Sequence, residues 1–176
     1  MTEPSSAEPP EVLFGLRWSI KNSFIDYVRR MPDGKGWVGD GAMPIGSHEI
    51  LYAAEAAEWG PTADGTVERS WSFRGDVRFS GHAGMLFVQV ASPILTELDG
   101  AARLTVASPP GTDGPERLPL VTLRLDREPA PDGIEVWRGT DVRLTEAGTA
   151  LFNDVYPPGE PFEPLTVVLP VLDEND

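Results

Sequence analysis

The spacing of hydrophobic and polar positions changes several times along the chain, and each change marks an element. An apolar run from Val12 to Trp18 has the length of a strand. Beyond it Ile20, Ser23, Phe24, Tyr27 and Val28 recur at the three-and-four spacing of one helix face. Ser19 suits the N-cap, Arg29 and Arg30 complement the C-terminal end of the helix dipole, and Pro32 followed by Asp33-Gly34 stops the helix. Between Trp37 and Gly65 the pattern is less regular, with a Gly-rich loop, a strand around Ile50 to Ala53, and an Ala-rich stretch from Ala53 to Trp59 that leans toward helix. Trp71, Phe73, Val77 and Phe79 then alternate with Ser72, Arg74, Asp76 and Arg78, the period of a half-buried strand, with a bend at Gly75.

The turn Gly81-His82-Ala83-Gly84 predicts a hairpin into Met85 to Ala91. Ala102 to Ala107, Leu118 to Asp126 and Gly133 to Arg138 continue the rhythm of strand and turn. A short helix capped by Thr145 runs through Phe152, and a Pro-bound loop from Tyr156 to Pro164 leads to a last strand, Leu165 to Leu169. The expected fold is one mainly β domain over residues 12–170, with about nine to eleven strands and two short helices. Residues 1–11 form an acidic, Pro-rich lead expected to be disordered, and residues 171–176 an acidic tail.

Composition narrows the function. A formal charge of -14 excludes the clustered positive surface that nucleic acid requires. With no cysteine and two histidines the chain lacks the ligands of a structural zinc site, and it has neither a phosphate loop nor a dinucleotide fingerprint. No apolar run is long enough to cross a bilayer, so membrane insertion is not expected. The lead has no signal-peptide pattern, which predicts a cytoplasmic chain as given, although a processed extracellular chain would look the same.

Three separated blocks carry the chemistry. The first is Trp18 with Lys21, Ser23, Phe24, Tyr27 and Val28. The second is the turn Phe79, Gly81 and His82, and the third combines Leu144, Thr145, Gly148 and Phe152 with Tyr156 and Gly159. In this order they resemble the HtaA domain family of actinobacterial haem-binding proteins, over nearly the whole domain. The resemblance implies a β-rich fold that holds ferric haem b through Tyr27. It also implies a hydrogen bond from His82 to that tyrosine, Ser23 near a propionate and Phe152 packed on the porphyrin. Ala83 stands where the family often has an acidic residue or glycine.

Elementary chemistry agrees with the implied ligand. A phenolate is a hard donor suited to ferric iron, and a neighbouring imidazole makes it easier to form at neutral pH. Read without the resemblance, Tyr27 and Phe152 are core aromatics, Ser23 a helix-packing residue, His82 a half-exposed turn residue and His48 a solvated loop residue. His48 is also the other imidazole available to an open haem face. The leading expectation is a haem carrier used in trafficking, storage or transfer with a donor or acceptor protein. The alternatives are a haem-dependent enzyme acting on peroxide or a small molecule, and a haem-free β domain for protein contacts.

Overall fold

The computed structural model describes residues 13–171. The expected N-terminal lead, and the tail apart from Val171, lie outside the described residues. The elements in chain order are β1 (Gly15–Trp18), α1 (Asn22–Arg30), β2 (Lys35–Gly39), β3 (Ala42–Ile45), β4 (Glu49–Pro61), β5 (Val67–Arg74) and β6 (Asp76–Gly81), then a 3-10 turn (His82–Gly84). There follow β7 (Leu86–Ala91), β8 (Ile94–Leu98), β9 (Ala101–Ala107), β10 (Arg117–Glu128), β11 (Ile134–Leu144), α2 (Glu146–Leu151) and β12 (Leu165–Pro170).

Eight antiparallel strands form a barrel in the order β1, β12, β11, β10, β9, β8, β5, β4, closed where β1 also pairs with β4. Closure removes both free edges of the sheet. β3 lies along the first half of β4, outside that ring, and β2, β6 and β7 make a separate three-stranded sheet. The chain moves from the barrel to this small sheet at Gly75, which has φ +156° and whose added Cβ would lie 2.6 Å from the Tyr52 ring. The expected bend in the alternating run from Trp71 to Phe79 is thus a change of sheet.

Alternation along the strands fills the barrel with Leu16, Leu95, Leu104, Leu125 and Val167, all nearly inaccessible, and Trp71 packs on Trp137 with ring centroids 5.4 Å apart. Phe24 of α1 enters an adjoining aromatic cluster. Its ring stands edge-on to Phe79 at 5.2 Å and to Phe152 at 5.3 Å, and Phe152 in turn meets Phe162 at 5.1 Å. Edge-to-face packing suits the aromatic quadrupole, and truncating such a buried ring typically costs about 3–5 kcal/mol.

The structure departs from the sequence expectations in three places. The Ala-rich stretch is the second half of β4, not helix: its register with β5, from Ala53↔Arg74 to Pro61↔Val67, overrides a helix propensity worth a few tenths of a kcal/mol per residue. The expected Gly-rich loop holds the end of β2 and all of β3, which belong to different sheets and are joined by a tight turn at Asp40-Gly41, both with positive φ. α1 starts later than Ser19, because Ile20 takes φ +65° and breaks the helix before Lys21. The cap on Thr145 does form, its side chain accepting from the Gly148 N–H at 2.9 Å. No described helix is long and apolar enough to cross a membrane.

Barrel closure needs a glycine at position 15. Gly15 has φ +156°, and an added Cβ would lie 2.0 Å from the Tyr52 carbonyl oxygen on the pairing strand. Gly15→Ala is therefore expected to lower unfolding free energy by more than about 2 kcal/mol. Gly46→Ala, also at positive φ but with nothing within 4 Å, is expected to lose about 1 kcal/mol. Urea denaturation of the two variants compares these values, and equal losses would remove closure as the cause.

Candidate functional site

The orientation of α1 is set by contacts remote in sequence. Its N-cap residue Lys21 provides no side-chain cap; instead the Asn22 N–H donates to the Glu163 carboxylate at 2.9 Å. The nearly buried Lys21 ammonium donates to the Pro161 carbonyl at 2.8 Å, pairs with Glu160 at 3.2 Å and lies over the rings of Tyr156 and Phe162. These contacts turn Phe24, Ile25 and Val28 inward. Ser23 and Tyr27, expected on the apolar face, stand one step round the helix and face outward.

The tyrosines occupy three different environments. Tyr52 is wholly buried, its hydroxyl donates to the Val90 carbonyl at 3.0 Å, and burial holds its ionisation well above the usual phenol range. Tyr156 is half-buried and also raised, chiefly by burial and then by Glu160, with the Ser23 hydroxyl acting in the opposite sense. Tyr27 is 41% exposed, and its hydroxyl lies 2.5 Å from Nε2 of His82. The direction of that bond follows the imidazole tautomer: the phenol O–H donates to a bare Nε2, and a protonated Nε2 donates to the phenol oxygen.

His82 reaches Tyr27 from the exposed tip of the β6–β7 hairpin. His82 and Ala83 both adopt left-handed backbone, with φ of +50° and +55°, which L side chains rarely take. The Asp33 carboxylate, just past α1, holds them by accepting from the His82 N–H at 3.2 Å and the Ala83 N–H at 2.7 Å. Beside the turn Met85 is 85% exposed, an uncommon placement for a large apolar side chain.

Of the residues singled out in the sequence, Tyr27 and His82 are in direct contact, and Ser23 acts on Tyr156, whose ring packs against Phe152 and Phe162. Phe152 is 1% exposed and enclosed by Phe24, Phe162 and Tyr156, so it supports the helix from within and presents no open face. His48 is half-buried rather than solvated. Its Nε2 lies 2.6 Å from the Asp26 carboxylate, its Nδ1 is 2.8 Å from the Ser47 hydroxyl, and Arg29 donates to the Ser47 carbonyl. It fastens the β3–β4 turn to α1 over a cavity of about 340 Å³ lined by Ile25, Val28, Trp37 and Phe79. Neither Tyr27 nor His82 borders that cavity. Among the described residues no group of three or more His, Asp or Glu side chains could hold a bare metal ion.

The family model HtaA, described as Htaa, matches residues 14–168. The chain belongs to the HtaA family. Among solved structures it is similar to the C-terminal domain of HtaA from Corynebacterium glutamicum, at 20% identity and TM-score 0.70, covering 89% of this chain and 97% of that one. The N-terminal domain of the same protein aligns at 22% identity and TM-score 0.64, covering 92% and 100%. Heme binding protein HtaB from Corynebacterium glutamicum aligns at 20% identity and TM-score 0.63, covering 89% and 92%. No curated protein matches the chain. At these identities the structural likeness speaks for the fold alone, and the HtaA fold is the barrel and small sheet described above.

Three residues at the candidate site of this HtaA domain have no sequence reading as site residues. Asp33 reads as a helix stop, and its partners lie 49 and 50 positions away. Tyr156 belongs to the third sequence block but carries no assigned role there, and Met85 reads only as the start of the strand after the turn. Asp33 also confers a pH dependence. The Ala83 N–H first, and then the His82 N–H, hold its carboxyl below the usual carboxylate range. Because the folded value is lowered, the grip on the turn is complete above about pH 4 and is lost as pH falls through the lowered value. A carbon-13 titration of the side-chain carboxyls is expected to show Asp33 titrating below the ordinary range, with amide exchange at His82 and Ala83 accelerating, relative to the intrinsic rate, through the same transition. An ordinary Asp33 midpoint would contradict the hydrogen-bonded turn.

Proposed function

We propose that this HtaA domain binds ferric haem b, with Tyr27 as the axial ligand to iron and His82 as its hydrogen-bonded partner, and carries haem between a donor and an acceptor protein. The observation that carries this reading is the 2.5 Å contact between an exposed phenol and an exposed imidazole. A phenol used only for packing gains most by burial, as Tyr52 does; Tyr27 has its hydroxyl at the surface with a proton acceptor beside it. Membership of the HtaA family supports haem as the cargo, and heme binding protein HtaB has the same fold.

The donor set fits the group. Bound haem brings a ferric iron that favours a hard oxygen donor. The imidazole's part is to take up the phenol proton and hold the oxygen in place, which lowers the cost of forming phenolate near neutral pH. Ser23 and Tyr156 supply hydroxyls along the same side of α1, suited to a propionate, and Met85 supplies apolar surface for a porphyrin edge. Carriage is favoured over catalysis because the chain's other histidine is committed to Asp26 and Ser47, and a haem enzyme needs a positioned acid-base group on the open face.

Titration of the purified protein with ferric haem, followed by absorption spectroscopy, tests the proposal. Wild type is expected to give a tyrosinate-type ferric spectrum and Tyr27→Phe to lose it, while His82→Ala weakens binding about 10–100-fold. Tyr52→Phe is expected to lose about 1 kcal/mol of stability with haem affinity unchanged. Unaltered binding by Tyr27→Phe would remove Tyr27 as the ligand, and absence of binding by wild type would remove haem.

A further inference from the structure

The His82 turn adopts an unfavourable backbone, and the N–H groups of His82 and Ala83 share one partner outside their own hairpin. Two consecutive residues with side chains occupy left-handed space, where a relaxed turn would place glycine. That partner is Asp33, whose two carboxylate oxygens each accept one N–H of that pair: Oδ1 from His82 and Oδ2 from Ala83. Successive backbone N–H groups in such a turn form a concave anion seat, and here a side chain of the same protein occupies it.

Packing fixes where Asp33 stands. Gly34, its neighbour, leaves no room for a side chain, since an added Cβ would lie 1.8 Å from the Val28 carbonyl oxygen at the end of α1. Gly81, just before His82, also packs closely, with the Met31 sulfur 2.7 Å from where its Cβ would be. Met31 closes α1 by donating its N–H to the Val28 carbonyl, and Gly34 donates to the Met31 carbonyl. The segment leaving α1 is therefore pressed against the end of β6, and the helix that presents Tyr27 also delivers the carboxylate that holds the turn presenting His82.

We infer that Asp33 is a positioning residue for the Tyr27–His82 pair, holding the His82–Ala83 turn in its left-handed conformation so that the imidazole meets the Tyr27 hydroxyl. Asp33 acts on the backbone of the turn and, through it, on the cargo. In its importance for haem the inference rests on the function proposed above; as a statement about how His82 is placed, it stands on the haem-free geometry. The lowered ionisation of Asp33 accords with a carboxylate that receives two backbone donors.

The test compares Asp33→Ala and Asp33→Asn in the full chain, each with and without His82→Ala. Asn keeps one acceptor and the shape of the side chain, which guards against an alanine variant that fails to fold. In haem-free protein, Asp33→Ala is expected to abolish the nuclear Overhauser contact between the Tyr27 and His82 rings, with Asp33→Asn intermediate. With ferric haem as the probe, Asp33→Ala is expected to weaken binding about tenfold in the wild-type background and to add no loss in the His82→Ala background. A ring contact that survives Asp33→Ala, or an equal loss of affinity in both backgrounds, overturns the inference. If wild type takes up no haem and Asp33→Ala still abolishes the ring contact, the haem reading falls and the positioning role stands.

Discussion

The ring of Phe24 stands edge-on to both Phe79 and Phe152, and so ties the helix that carries Tyr27 to the small sheet on one side and to the end of α2 on the other. A helix as short as α1 has little stability of its own, so its position comes from what it packs against. With Phe24 seated, Ile25 and Val28 complete the buried stripe and the helical period leaves Ser23 and Tyr27 outside it. The exposure of Tyr27 thus follows from a core contact one helical turn earlier. Phe79 sits in β6, the strand that ends at Gly81 and His82, so the same aromatic joint fixes both halves of the candidate site.

Electrostatics separate the three tyrosines more sharply than residue type does. Tyr52 is sealed in the core, with Asp76 nearby adding to the effect of burial, and a phenolate there would be both desolvated and repelled. Tyr156 is half removed from water and faces Glu160. Tyr27 is exposed and has an imidazole in contact. Family resemblance in sequence points to Tyr27, and the environments supply the physical reason why a ligand role suits that position better than the other two.

Much of the fold is legible in the sequence where the signal is local. Pro32 and Asp33-Gly34 end α1, Thr145 caps α2, and the glycines around His82 announce the hairpin, because each acts through neighbouring backbone. What the sequence hides is decided at a distance. The alanines of β4 carry no strand preference and become strand through pairing with β5. α1 is capped by Glu163 rather than Ser19 because Ile20 turns the chain first. In the candidate site the pair Tyr27 and His82 is legible through motif resemblance, while Asp33 is not, since a turn-forming Asp-Gly looks the same whether or not its carboxylate holds a second turn.

A surface site and an enclosed one place different demands on the release of a ligand. The Tyr27–His82 pair lies on the outside of the molecule, away from the 340 Å³ cavity on the other flank of α1, and its residues come from α1 and from the tip of the β6–β7 hairpin of the small sheet. Under the proposed function a ligand held there would leave without opening the core, with the barrel intact through loading and release. Rigidity then has to be provided locally, because an exposed phenol and an exposed imidazole would each sample many positions if left alone. The edge-on seat of Phe24 restrains one and the two backbone hydrogen bonds to Asp33 restrain the other, which allows an open site to be preorganised without being buried.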